Sequence, residues 1–390
     1  AATLPKVSAQ AGYTRTNHVD EFGVPLPNNQ LRIIYPDIPD NYRARLDAQW
    51  PLYTGGRLEA LEKAAMSEAR AVGLDLAATR ADLRLDIARA YWSLTAAIAS
   101  VQVLDESLAR ADAHVRDAQN RLQSGLVPPN EVLSAEAQRA RQRMLRVRAA
   151  SQRDVAESAL GRLVGLAPGA RVVPTSPLEA GAVPDPQVDG YDDLVRAARD
   201  GRADRQALAE RLTATDWHGA AAAAGRRPTI ALGAGVDLAR PNPRIFPREG
   251  SWRESWDASV VVDWPIFDGG RVRSAVVEAA ATRRAAEERL REVDSLLGLE
   301  VRQRLSELES SRAAVSAADQ GIAAATEARR VVTDRFNAGV ATSTDVLDAH
   351  VAVLQAGLDR TEALAAWRMA EAGLARATGG VPSLAPATPK

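Results

Sequence analysis

Trp50-Pro51-Leu52-Tyr53-Thr54-Gly55-Gly56-Arg57 returns 214 residues later as Trp264-Pro265-Ile266-Phe267-Asp268-Gly269-Gly270-Arg271. The same offset carries Arg121-Leu122-Gln123-Ser124-Gly125 onto Arg335-Phe336-Asn337-Ala338-Gly339, and Leu160 and Gly165 onto Leu374 and Gly379. A spacing that admits no insertion over so long a stretch marks an element whose length matters, such as a continuous helix. The chain therefore reads as a duplicated unit.

Each Trp-Pro segment marks a change of hydrophobic period. Before the first, Tyr42, Ala44, Leu46, Ala48, Trp50 and Leu52 alternate with Arg43, Arg45, Asp47 and Gln49, which is the period of a strand with one apolar and one charged face. Val7, Ala9, Ala11 and Tyr13 repeat the pattern more weakly. Before the second, Ile230, Leu232, Ala234, Val236 and Leu238 form one alternating run, and Trp256, Ala258, Val260, Val262, Trp264 and Ile266 form another. The connections over 17–41 and 240–251 are rich in Pro, Asn and Arg and read as loops. After each Gly-Gly pair, proline disappears from Arg57 to Leu126 and from Arg271 to Val340, and Ala, Leu, Arg and Glu fill the stretch. About 65 helical residues would extend roughly 100 Å. Gly125 and Gly339 are stop signals. A second helix then follows, with Asn130 as the expected cap in one copy and Ser343 or Thr344 in the other.

Strands of this length suit a tilted crossing of a bilayer, apolar outside and polar inside, with Trp50, Trp252, Trp256 and Trp264 near the ends as an aromatic girdle. The plainer reading is a soluble antiparallel sheet with one wet face. Four strands leave two open edges, which lipid does not tolerate, so a membrane barrel would have to be shared by several chains.

Composition narrows the class further. The chain has 390 residues, 25% charged and 4% aromatic, with a net charge of -1. Mixed charge along helices favours solvated faces, and nothing attracts nucleic acid. There is no cysteine, hence no disulfide and no thiolate metal site. No run of about 18 apolar residues predicts a transmembrane helix. No signal peptide is visible, and the abrupt opening at Ala1-Ala2-Thr3 fits a removed signal or a truncated N-terminus. The Gly-Gly-Arg segments do not continue as a phosphate-binding loop. His18, His114, His218 and His350 are scattered without ligand spacing; His350 follows an aspartate pair and could face a lumen, but a solvated helix position is the favoured reading. No catalytic constellation, cofactor or metal site is expected, so an enzyme is not expected either.

Together, the duplicated strand pair, the Trp-Pro-Leu-Tyr-x-Gly-Gly-Arg segment, the Arg-x-x-x-Gly tips and Asp345-Val346-Leu347-Asp348-Ala349 resemble TolC-type outer-membrane efflux proteins. The resemblance covers nearly the whole chain. It implies an α+β membrane protein, a homotrimer in which each protomer gives four strands to a 12-stranded barrel and its long α-hairpins to a periplasmic helical barrel. The domains expected are a first β-hairpin (1–56), a helical hairpin (57–165), a Pro-rich link and helix (166–225), a second β-hairpin (226–270), a second helical hairpin (271–379) and a tail (380–390). The implied role is a passive exit duct for a tripartite efflux pump or a type I secretion system. Its implied partners are outer-membrane lipid, a periplasmic adaptor and, through the adaptor, an inner-membrane transporter. The alternative is a soluble, elongated coiled-coil protein serving as a periplasmic scaffold or adaptor.

By the same resemblance, Asp345 and Asp348 match a ring of aspartates at the periplasmic constriction. The plain reading is that acids favour a helix first turn. The tips, with Arg121, Gly125, Arg335 and Gly339, match adaptor contacts, and Pro51, Gly55, Gly56, Pro265, Gly269 and Gly270 match the passage from barrel to helix. The family's closing network uses a tyrosine and an arginine where this chain has Phe336 and Ala341, so closure is expected to be held differently. The second unit has a helix before its strands, Tyr191 to Ala224, after a link from Pro168 to Pro186. The first unit shows no counterpart, and the expectation is that the family's first helix is missing, leaving a gap in each helical wall.

Overall fold

The computed structural model describes residues 4–27, 31–167, 169–179 and 190–380. The expected tail beyond residue 380 and much of the Pro-rich link lie outside the described residues. The chain divides into two compact units, Ala1–Ala71 with Leu208–Arg289, and Val72–Ala207 with Leu290–Lys390.

The first unit holds a four-stranded antiparallel sheet in the order β1 (Lys6–Arg15), β4 (Asp40–Tyr53), β5 (Thr229–Arg240), β6 (Arg253–Asp263). Register places Ala9, Leu46, Val236 and Trp256 in one row, and Trp50, Leu232 and Val260 in another. Because side chains alternate in period two, one face is apolar across all four strands. That face is open: Leu46, Val236 and Val260 are 52%, 52% and 65% exposed. The opposite face carries a ladder of charge. Arg43 grips Asp237 with two hydrogen bonds of 2.6 and 3.0 Å. Arg45 also reaches Asp237, and it joins Asp47 at 2.7 Å and Asp257 at 3.1 Å. Gly235 makes room for this guanidinium, since a Cβ there would lie 2.9 Å from Arg45 Cζ.

The stretch read as a loop over 17–41 contains a second small sheet, β2 (Phe22–Pro25) paired with β3 (Leu31–Tyr35). The prolines and asparagines around it obscure the short β-branched run Ile33-Ile34 in the sequence.

The long helices keep the duplication to the residue. α1 (Arg57–Gln123) and α5 (Arg271–Asn337) each have 67 residues, and α2 (Pro129–Leu163) and α6 (Ser343–Ala377) each have 35. Both ends of each pair differ by 214 positions. In α1, Ala60, Ala64, Ser67 and Ala71 are buried at alternating spacings of four and three, the period of a coiled-coil seam made of small residues. In the second unit each long helix folds back against its follower. Arg146 of α2 meets Asp105 of α1 at 2.8 Å, and Arg360 of α6 meets Asp319 of α5 at 2.6 Å. These are the same ion pair in its two copies. The core of this unit centres on Trp92, Leu308, Val315, Leu364 and Trp367, with Val101, Leu104, Ala149 and Leu354 forming a further cluster.

Two sequence expectations need correction here. The helix predicted from Tyr191 to Ala224 is broken into α3 (Tyr191–Gly201) and α4 (Ala203–Ala223), followed by a short 3-10 turn. Arg202 between them is extended, buried, and paired with Asp204 and Glu300. A Cβ on Gly201 would lie 3.3 Å from the Thr378 carbonyl. Packing, rather than local propensity, sets the break. The cap of α2 is Pro128, with Pro129 as the first helical residue and no side-chain cap bond, so Asn130 lies inside the helix.

Candidate functional site

At the strand-to-helix joints, two successive glycines take positive φ in each copy: Gly55 and Gly56 at 64° and 87°, Gly269 and Gly270 at 63° and 87°. Few other residues accept this backbone. Gly55 has a second reason to lack a side chain, because a Cβ would fall 2.7 Å from Arg227 Cβ. Arg227 also donates from Nη1 to the Gly55 carbonyl at 2.9 Å. Around Gly269 the space is open within 4 Å. The residue before the glycines caps the helix. Thr54 Oγ1 accepts from Leu58 N–H at 3.3 Å, and the Asp268 carboxylate accepts from Gly270 N–H at 3.0 Å and Val272 N–H at 2.8 Å. Pro51 sits beside an irregularity at the end of β4, whereas Pro265 lies beyond the end of β6. Ile266 and Phe267 next to it are both 90% exposed.

At the other end of the helices, Gly125 (φ 73°) and Gly339 (φ 77°) close the two turns in the same way. Leu126 N–H donates to the Arg121 carbonyl at 2.9 Å, and Val340 N–H to the Arg335 carbonyl at 2.9 Å. Each turn presents one large apolar side chain to solvent, Leu126 at 74% and Val340 at 64% exposure. They occupy equivalent positions of the duplication. Sequence reading marked the tips but not these two residues, although the common offset contains the signal. Arg121 is salt-bridged to Asp117 at 2.8 Å and lays its guanidinium over Phe336 at 4.4 Å, so the two tips touch. Phe336 thus holds an arginine from the other hairpin without a hydroxyl.

The two aspartates differ in what they do. Asp345 completes a capping box with Thr342, which is the cap in place of Ser343 or Thr344. Its carboxylate accepts from Thr342 N–H at 2.7 Å and Thr342 Oγ1–H at 2.8 Å. These bonds, with Arg335 nearby, hold its carboxyl below the usual range. Asp348 is exposed, three residues on along the same face, and has no hydrogen bond or ion pair among the described residues. His350 is not at a solvated position. It is half-buried against His114 of α1, with ring centroids 6.0 Å apart. Residues 236 positions apart cannot be seen as neighbours in a sequence. Among the described residues, no group of three or more His, Cys, Asp or Glu is placed to hold a metal ion. No described helix is long and apolar enough to cross a membrane.

A sheet with one exposed apolar face thus runs, through a glycine pair in each copy, into a helix of 67 residues. The chain matches the family described as outer membrane efflux protein over residues 1–166 and 194–380, and it belongs to that family. It is an exit duct of the outer membrane, not an enzyme. Solved structures share the fold. A membrane protein from Pseudomonas aeruginosa is 22% identical, with a TM-score of 0.77 over 97% of this chain and 84% of that one. The CmeC outer membrane channel of Campylobacter jejuni is 17% identical, with a TM-score of 0.74 over 97% and 78%. The MtrE outer membrane channel of Neisseria gonorrhoeae, in its open state, is 20% identical, with a TM-score of 0.75 over 99% and 83%. No curated protein sequence matches the chain.

Proposed function

We propose that three copies of this chain close one 12-stranded barrel in the outer membrane, and that their α-hairpins form a hollow periplasmic cylinder. The observation that carries this reading is the four-stranded sheet, apolar and exposed on one face, charge-laddered on the other, with β1 and β6 as unpaired edges. Lipid admits no open edge, so each β6 must pair with the β1 of another copy. The Arg43–Asp237–Arg45 ladder then faces a wet lumen, where its charges remain hydrated at their rims. Substrate passes down the duct without energy input from it. A periplasmic adaptor docks on the tips around Leu126 and Val340, flanked by Arg121 and Arg335, and links the duct to the inner-membrane transporter of a tripartite efflux pump or type I secretion system. Asp345 and Asp348 of three chains bring six carboxylates to the narrow end and favour cations there.

The absence of native cysteine permits a clean test. Cysteines are paired between β1 (Ser8 or Gln10) and β6 (Asp257 or Ser259) and oxidised in membranes. Within one chain two strands separate β1 from β6, about 14 Å at the usual strand spacing, too far for a disulfide. At least one combination is expected to give covalent dimers and trimers on a non-reducing gel. If every combination stays monomeric, the shared barrel is wrong.

A further inference from the structure

His114 and His350 meet edge to face at the first turns of α6, where α1, α5 and α6 converge in the second unit. His114 Nε2 lies 3.3 Å from the hydroxyl of the buried Ser343, and its ring is 6.4 Å from Phe336, the ring that carries Arg121. This small cluster is the described contact that ties the start of α6 to α1 beside Asp345 and Asp348.

The charges around the two rings are unequal. His350 faces His114 and Arg110 from α1 and Arg329 from α5, all cationic or able to become so. On α6 itself, the residues three and four away are Val346, Leu347, Val353 and Leu354. His114 faces Asp117 and Arg121 on its own helix and Glu131 on α2. Burial first, and then these cations, push His350 down to about 4, and burial lowers His114 as well. At neutral pH both rings are uncharged, and a ring nitrogen of His114 is free to share a hydrogen bond with Ser343.

We propose that His114 and His350 form an acid-sensitive latch: while the rings are neutral, α6 stays packed on α1 at the tip, and protonation of His350 releases it. An imidazolium there would be half-buried within reach of the charges of His114, Arg329 and Arg110, and among the described residues no carboxylate offsets them. The released state, in water, takes up the proton at the ordinary histidine value of 6.5. Acid therefore favours release across the window from 6.5 down to about 4, with little change above or below it. In an envelope compartment that follows external pH, the device would loosen the tip under acid stress. As regulation of the proposed constriction, it rests on the duct reading, but its structural part can be tested apart from it.

The experiment is hydrogen exchange of amides 343–354 in the full, detergent-solubilised protein at about pH 7.5 and about pH 5, corrected for intrinsic exchange. Protection is expected to fall about thirtyfold on acidification. The fall should vanish in His350→Gln and shrink in His114→Gln, both of which keep a neutral polar side chain. No fall in the unsubstituted protein, or the same fall in both variants, overturns the latch. Conductance recorded in parallel separates the two readings. A histidine-dependent loosening that leaves conductance unchanged would sink the role at the constriction and leave the latch. A conducting channel whose tip ignores pH would sink the latch and leave the duct.

Discussion

Leu46→Arg is expected to abolish assembly in the outer membrane. Leu46 lies mid-strand in β4, on the apolar face, flanked by Ala9 on one side and Val236 on the other. It is half exposed in the single chain, so no protein neighbour has to be displaced by a longer side chain. In a soluble protein the substitution would be close to neutral. Against hydrocarbon, an arginine near the midplane costs about 2–4 kcal/mol per copy. Threefold symmetry would repeat that penalty, which exceeds a large part of a typical folding stability. Val260→Arg, at 65% exposure on the same face, should behave alike but more mildly if it lies nearer an interface. Ser259→Arg, one residue along and on the opposite face, is the control and should assemble. The measurement is the membrane-bound, heat-modifiable oligomer after fractionation, with total expression counted. Wild-type assembly of Leu46→Arg would mean that this face never meets lipid.

The second large effect is expected at Asp348. Its carboxylate is exposed and uncommitted, while that of Asp345 is turned back onto the α6 terminus. Asp348→Asn should therefore remove charge without touching the cap. At about 4 Å a unit charge in water is worth about 1 kcal/mol, so the cation-to-anion permeability ratio should fall about fivefold or more. Low salt is needed, because at physiological ionic strength the charges are screened beyond about 8 Å. Asp345→Ala mixes two effects, since loss of the capping box costs about 1 kcal/mol and frays the turn. Asp345 has a depressed carboxyl value in the fold, so its contribution is present above the ordinary carboxylate range. It is lost only as pH falls through the lower folded value. Unchanged selectivity in a conducting double variant, Asp345→Asn with Asp348→Asn, would remove both residues from the constriction.

Much of the architecture was legible because the chain says it twice. The fixed offset predicts paired helices of equal length, and α1 with α5 and α2 with α6 match to the residue. The alternation in 42–52 gives β4, and that in 256–266 gives β6 only as far as Asp263, with Trp264 and Ile266 beyond the strand. The glycines at 55, 56, 269 and 270 are visible because their backbone excludes most other residues. What stayed hidden depends on tertiary packing. Arg202 breaks a helix for the sake of Asp204 and Glu300. Thr342 rather than Ser343 or Thr344 caps α6, a difference of one or two residues that composition cannot fix. His114 and His350 become a pair only when two helical hairpins close on each other.

The central claim is that one chain supplies only a third of a barrel. The mass of the full-length protein, extracted from the membrane fraction in detergent and measured by light scattering with the detergent subtracted, tests it directly. The account predicts a membrane-bound species of three protomers. A soluble monomer or dimer that needs no detergent would contradict it.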